Sequence, residues 1–323
     1  MSNEITKVLD TITPEIYNTY IQQYTAKKSL IVNSGIAIAD DRVSKMITAG
    51  NTLVNMPFWN DLDGEDEVLD EDKELSTGKI TAGKDIAAVM YRGRGWSVNE
   101  LAAIISGDDP MRAILDRIGD YWLRQEQKVL LSVLKGLFVE GGALASSHLL
   151  DISTKPITAK EVLNAKQLLG DSASKLKILV MHSAVYTKLQ QDNLINYIQP
   201  TDATTEIPVY LGYRVVVDDS NMPADDVYTT YLLAEGAFGR NNGTPEKLTT
   251  FETNRKAAAG VDEVYTRRAF VFHPYGIKFT DTTVAGETPS NAELATANNW
   301  SKVYEDKNIG IVAIRHKLST ETV

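Results

Sequence analysis

Gly93-Arg94-Gly95 could open a dinucleotide-binding turn, but Val98 stands where the third glycine of that fingerprint belongs. Gly78-Lys79 matches the end of a phosphate-binding loop. Lys73 occupies its first-glycine position, and Ile80 stands where a hydroxyl must reach magnesium. Asp61-Leu62-Asp63-Gly64 begins like a calcium loop and lacks the third ligand position before the glycine, which leaves room only for weak divalent-cation binding. The four histidines, His148, His182, His273 and His316, stand far apart without metal-ligand spacing and read as framework residues. No Gly-x-Ser-x-Gly elbow is present, and no carboxylate pair is singled out for acid–base work. The chain also has no cysteine, so thiolate nucleophiles, thiolate metal sites and disulfides are excluded. The expectation is a protein without catalytic residues, cofactor or metal.

What remains is an unusual distribution of charge. Residues 61–74 hold nine acids (Asp61, Asp63, Glu65, Asp66, Glu67, Asp70, Glu71, Asp72, Glu74) and Lys73. That segment carries -8 of the net -10, leaving about -2 for the other 309 residues. The balance argues against a dedicated nucleic-acid binder, which needs a basic surface. A near-neutral or acidic wall is compatible with a container that encloses DNA without gripping it. The simplest reading of any single acid in the run is a solvated loop residue.

The flanking elements suggest what this segment belongs to. Thr52–Trp59 alternates, with Val54, Met56 and Phe58 facing one way, and Pro57 demands an edge or protruding strand. Residues 79–92 read as the return strand, making a two-stranded ribbon with an acidic tip. Such a ribbon is marginal alone in water and should rest on another surface. Ser97-Val98-Asn99-Glu100 has capping-box spacing for a short helix through Ile105. Asp108-Asp109-Pro110 opens a long helix running to Val139, with apolar positions from Met111 to Leu137 at a 3–4 spacing and Arg112, Arg117 and Arg124 on other faces. Gly136 costs that helix about 1 kcal/mol unless something packs close to it.

Before the ribbon lies a polar arm, with Tyr17, Tyr20, Ile21 and Tyr24 at helical spacing and residues 31–50 extended or mixed. After the long helix comes an α/β region. It contains a capped helix from Thr158 to Leu169, a buried-type strand at Lys177–Met181, a helix to about Gln191, and strands at Val209–Asp218 and Tyr228–Ala234. A turn cluster is expected at Gly239–Pro245. Strand is expected within Val264–Thr280, at Val303-Tyr304 and at Ile309–Arg315. With 43% hydrophobic residues the chain can bury a core. Its apolar runs are far shorter than the roughly 20 residues of a spanning helix, and the Met-Ser-Asn-Glu start predicts no secretory signal.

An exposed arm, a protruding ribbon and a long helix suit a subunit whose projections lie on its neighbours. This order resembles the major capsid proteins of tailed bacteriophages, which have the HK97-like fold. The ribbon is similar to the family's extended loop and residues 110–139 to its spine helix. The run from Val264 to Gly276 is similar to its peripheral strand. Asn299–Tyr304, followed by Lys307–Val312, is similar to the closing segment. The resemblance implies an α+β chain in six parts: an arm (1–50), an extended loop (51–96), a peripheral domain with the spine helix (97–142), an axial domain (143–245), peripheral strands (246–280) and a C-terminal return to the axial domain (281–323).

The resemblance further implies self-assembly through hexameric and pentameric capsomers into an icosahedral shell around the phage genome, in the host bacterial cytoplasm. Its partners would be a scaffolding protein, a portal, a decoration protein and double-stranded DNA held non-specifically at the inner wall, with no membrane. The short arm before the ribbon implies that the scaffold is a separate protein. Some family members crosslink a ribbon lysine to a neighbour's asparagine. Lys73, Lys79 and Lys84 lie on or near the ribbon, but no acceptor can be matched. The expected contacts between subunits join Asp70, Glu71, Asp72, Lys73 and Glu74 of the tip to Arg112, Arg117 and Arg124 of a neighbour's helix. Two alternatives stand: an encapsulin-type compartment enclosing protein cargo, and, in a different class, a cytosolic α/β enzyme with a polar pocket within 143–323.

Overall fold

The computed structural model describes residues 34–69, 74–100, 110–198, 207–219 and 226–318. The aromatic helix expected around Tyr17–Tyr24 and the short helix expected to reach Ile105 lie outside them.

Two sheets and one long helix organise the chain. The first sheet is built on a single 14-residue strand, β13 (Val261–Pro274). One edge of β13 pairs antiparallel with β4 (Met90–Asn99) from Phe270↔Met90 to Val261↔Asn99. Its other edge is shared by β11 (Phe238–Gly243) and β12 (Phe251–Lys256), and β1 (Ala37–Ala39) adds parallel to β11. Helix α1 (Asp41–Thr48) follows β1 and buries Ile47 beneath this sheet.

The second sheet has seven strands in the order β5 (Leu149–Pro156), β16 (Ile311–Lys317), β10 (Tyr228–Ala234), β6 (Leu176–Met181), β9 (Tyr213–Val217), β8 (Ile207–Tyr210) and β7 (Asn196–Ile198). Its central strands read as continuous apolar runs because both faces are covered. Ile178, Val180, Tyr231, Leu233, Ile311 and Ala313 enter one core, and the intervening Leu179, Met181, Leu232, Val312 and Ile314 enter another. Helices α3 (Ala159–Gln167) and α4 (Ser183–Gln191) close the second core through Val162, Ala165, Val185 and Leu189. Thr158 caps α3 by accepting from the Glu161 N–H, as its spacing predicts.

Helix α2 (Pro110–Phe138) joins the two sheets. At ~1.5 Å per residue its 29 residues span about 44 Å. Met111, Ile118 and Trp122 of its first half pack with Val98, Phe251 and Val264 of the first sheet. Val129, Val133, Leu137 and Phe138 of its second half enter the core beneath the seven-stranded sheet. The close packing that would justify Gly136 is present. A Cβ there would collide with the Leu294 carbonyl oxygen and stand 2.8 Å from Trp300 Nε1. Those two atoms are hydrogen-bonded to each other at 2.8 Å, the carbonyl coming from the end of α5 (Asn291–Leu294). Gly136→Ala gains about 1 kcal/mol of helix propensity, but it overpacks this contact. The expected result is net destabilisation of up to about 2 kcal/mol, read from the urea midpoint of the unassembled subunit.

Three local expectations are corrected. Gly239–Pro245 is mostly strand β11, because pairing with β1 and β13 overrides its turn-forming residues and Asn241 Nδ2 donates to the Asp40 carbonyl at 2.8 Å. Ser97 lies inside β4, paired with Glu263, and the helix expected after it falls outside the described residues from residue 101. Val209–Asp218 is a hairpin rather than one strand. Leu211 and Gly212, both at positive φ, turn the chain between β8 and β9. At the closing segment, β15 (Trp300–Lys302) pairs with β14 (Ile277–Phe279) and ends before Val303.

Candidate assembly interface

The ribbon is the pair β2 (Leu53–Trp59) and β3 (Ala82–Ala88), in register from Leu53↔Ala88 to Trp59↔Ala82. Its base is anchored. Val54, Met56 and Ala87 pack with Ile47, Ala269 and Val271. Phe58 meets Tyr304 edge-on at 4.7 Å. Asp85, only 1% exposed, accepts the Gly276 N–H at 3.0 Å, and its other oxygen lies 2.9 Å from Nε2 of the equally buried His273. A buried carboxylate needs such a partner, and the hydrogen bond from Gly276 ties the ribbon to the turn after β13.

The tip is different. Residues 61–69 and 74–80 have no regular secondary structure and are exposed throughout. Ser76 donates to Glu67 through both its backbone N–H and its hydroxyl, which holds the Glu67 carboxyl below its ordinary range. None of Asp61, Asp63, Glu65, Asp66, Glu67 and Glu74 forms an ion pair among the described residues. Asp70, Glu71, Asp72 and Lys73 lie outside those residues. The charge pattern concealed a second property of the tip: Leu62, Val68, Leu69 and Leu75 are interleaved with the acids and are 57–92% exposed. Loops with unpartnered leucines and no core of their own mark contact surfaces.

Arg112, Arg117 and Arg124 are all exposed on α2. Arg112 is already engaged within the chain. Arg117 and Arg124 have no ion-pair partner among the described residues, and they flank a groove of about 330 Å³ lined by Trp96, Ala113, Ile114 and Tyr121. The Trp96 and Tyr121 rings meet edge-on at 5.1 Å.

Sequence reasoning missed the charged group that holds α2 to the first sheet. Glu126 is fully buried. Arg240 Nη2 of β11 lies 2.7 Å from its Oε2, and Arg268 Nη1 of β13 lies 3.2 Å from its Oε1. The Arg268 guanidinium also sits 5.3 Å from the Trp122 ring centre. In the sequence Glu126 occupied an ordinary polar position of the helix. Its inward direction follows only once β11 and β13 are placed.

Each histidine has a framework role. His148 sits at 2.8 Å from the Ser147 hydroxyl and 3.0 Å from the Asp306 carbonyl oxygen. His182 accepts the Ala184 N–H at the start of α4. His316 bonds Thr230 Oγ1 and the Lys317 carbonyl, each at 2.9 Å. Burial holds the imidazoles of His148 and His316 below their ordinary 6.5. Because the unfolded chain takes up these protons first, their contribution to stability is fully present above about pH 6.5. It is lost as the pH falls from there through the lowered folded values. Urea midpoints measured from pH 7.5 to 5.5 should therefore fall, and His316→Gln should flatten the slope. Among the described residues no group of three or more His, Asp or Glu side chains is placed to hold a metal, and no helix is long and apolar enough to cross a membrane.

An anchored two-stranded ribbon, a long helix joining two sheets, and a closing strand returned to the larger sheet together define the HK97-like capsid fold. The same fold is found in a structure from Microbacterium phage Oxtober96 (TM-score 0.56, 10% identity, 98% of this chain and 96% of that one). It is found again in the capsid of cyanophage Pam1 (TM-score 0.54, 11% identity, 84% and 86% covered). At the level of sequence, residues 127–310 match the Gp13-like family model, major capsid protein 13-like. The chain is also 39% identical to the major capsid protein of Bacillus phage SPP1 over 324 residues, covering 97% of this chain and 98% of that protein. The chain belongs to the Gp13-like family of phage major capsid proteins.

Proposed function

We propose that the ribbon of each subunit lies across a neighbour, with its acidic tip (Asp70, Glu71, Asp72 and Glu74, with Lys73 among them) against arginines of the neighbour's α2. The observation that carries this is the contrast within the ribbon: a base fixed by Asp85 and Phe58, and a tip whose leucines are exposed and whose described acids form no ion pair among the described residues. Arg117 and Arg124 supply the opposite charge, and Arg112, engaged within its own chain, is the weaker partner. Exposed ion pairs give about 0–1 kcal/mol each, so the contact acts by repetition around a closed shell and stays reversible while errors are corrected.

In this reading the seven-stranded sheet with α3 and α4 forms the axial domain of hexameric and pentameric capsomers. The sheet on β13 and the first half of α2 form the peripheral domain. Sheet pairing favours a boundary just before Phe238 rather than after residue 245, because Phe238–Gly243 pairs with β13. The shell assembles in the host cytoplasm on a separate scaffolding protein, incorporates a portal, accepts decoration proteins outside, and holds double-stranded DNA without sequence preference. The protein carries out no catalysis. Co-expression with the scaffolding protein of the same phage, followed by negative-stain microscopy, should show closed icosahedral particles. Tubes, or only unassembled subunits, would overturn the proposal.

A further inference from the structure

Arm, ribbon and closing segment are all rooted on the turn Tyr275-Gly276, directly after β13. At the arm, β1 is followed by Asp40, whose Oδ2 accepts the Tyr275 hydroxyl at 3.1 Å. Gly239 makes room for that hydroxyl, since a Cβ there would stand 2.7 Å from it. The Tyr275 N–H donates to the Ala237 carbonyl at 3.1 Å, beside the start of β11, the strand that pairs with β1. At the ribbon, buried Asp85 accepts the Gly276 N–H at 3.0 Å. At the closing segment, the Gly276 carbonyl accepts the N–H groups of Val303 and Tyr304 at 2.9 and 3.1 Å. The Tyr304 ring in turn meets Phe58 of the ribbon. Gly276 has a φ of +84°, and a Cβ on it would lie 2.6–2.8 Å from Tyr304 atoms, so only glycine fits the turn without displacing Tyr304.

We infer that Tyr275-Gly276 is a joint that couples the ribbon to the arm, so that displacing one root loosens the other. The Tyr275 carbonyl and the Gly276 N–H belong to one rigid peptide plane. A rotation that lets the Gly276 N–H follow Asp85 therefore turns the backbone of Tyr275, and with it the ring that reaches Asp40. Neither root can follow its projection without breaking a hydrogen bond at the turn or carrying the other along. Coupling of this kind is reciprocal: whatever firms the arm also firms the ribbon. Its use in assembly rests on the reading of the ribbon as the element that a neighbour takes up. A subunit whose ribbon is seated then sets the root of its arm differently from a free subunit, which gives the contacts of assembly an order. The joint itself belongs to the free subunit and is open to test without a shell.

Hydrogen exchange of the unassembled subunit, read by mass spectrometry, tests the joint. Tyr275→Phe removes only the hydroxyl that donates to Asp40. It should speed exchange in β1 and also, by about fivefold or more, in β2 and β3 of the ribbon, beyond any change in β10, which reports overall stability. Asn241→Ala loosens the same residue of the arm, because it removes the Nδ2 bond to the Asp40 carbonyl, and it leaves the turn intact. It should speed β1 and not the ribbon. Asp85→Ala should loosen the ribbon and speed β1 as well. If that variant gives no soluble subunit, Tyr275→Phe and Asn241→Ala decide between them. Unchanged ribbon exchange in Tyr275→Phe, or equal acceleration of the ribbon in Asn241→Ala, would overturn the joint. Closed particles whose ribbons touch no neighbour would overturn the reading of the ribbon instead, and would leave the exchange results standing.

Discussion

Reversing Asp70, Glu71 and Asp72 to Lys should reduce the yield of closed particles by at least tenfold while the subunit still folds. None of the described tip residues belongs to the four apolar clusters found among the described residues, so the tip's charges should change without loss of core. Reversal changes the local charge by six units and turns several attractions per subunit into repulsions, each repeated around the shell. Deleting residues 62–74 should have the same outcome by removing the leucines as well. Arg117→Glu combined with Arg124→Glu should restore part of the assembly of the reversed variant, since opposite charges then face each other again. Wild-type assembly intermediates should weaken in 1 M salt, where the Debye length is ~3 Å, while the apolar part of the contact persists. Assembly that ignores both the reversal and salt would show that the acids are simply solvated.

The largest effect on the subunit itself is expected at Glu126. Its carboxylate is fully buried and balanced by Arg240 and Arg268. Truncation to Ala leaves two guanidiniums, each about a fifth exposed, facing each other without a counter-charge. Removing one partner of a buried ionic group costs roughly 3–5 kcal/mol, more than a typical surface change by an order of magnitude. Glu126→Ala should therefore lower the urea midpoint steeply and reduce soluble subunit. Glu126→Gln, which keeps the volume and one acceptor, should cost less. A triple replacement of Glu126, Arg240 and Arg268 by apolar residues of similar size should recover much of the loss, because the unpaired charges are then gone. If Glu126→Ala melts like wild type, the triad does not hold α2 to the first sheet.

Helix α2 was legible almost to the residue, because proline at its first position and a 3–4 apolar spacing are local signals. The reading of 110–139 compares with the observed Pro110–Phe138. Strand β10 (Tyr228–Ala234) was legible because it is a short local run of aromatic, β-branched and apolar residues. Strand β11 was not, because Asn241, Asn242 and Gly243 carry turn signals and its pairing comes from β13, some 30 residues later. The buried charges were hidden in another way. Asp85 meets Gly276 across 191 residues, and Glu126 meets Arg240 across 114. Nothing near either acid in the chain announces its partner. At the tip the acids were so dense that Leu62, Val68, Leu69 and Leu75 looked like spacers, although they are the exposed apolar groups that a neighbouring subunit can bury.

A cryo-electron microscopy map of the assembled shell, at a resolution that traces the main chain, tests most directly whether this subunit builds a container by laying its ribbon on its neighbour. The expected map shows residues 61–78 ordered against α2 of an adjacent subunit, with β2 and β3 still rooted beside β13 of their own chain. A shell in which the tip folds back on its own subunit, or projects into solvent without touching a neighbour, would contradict it.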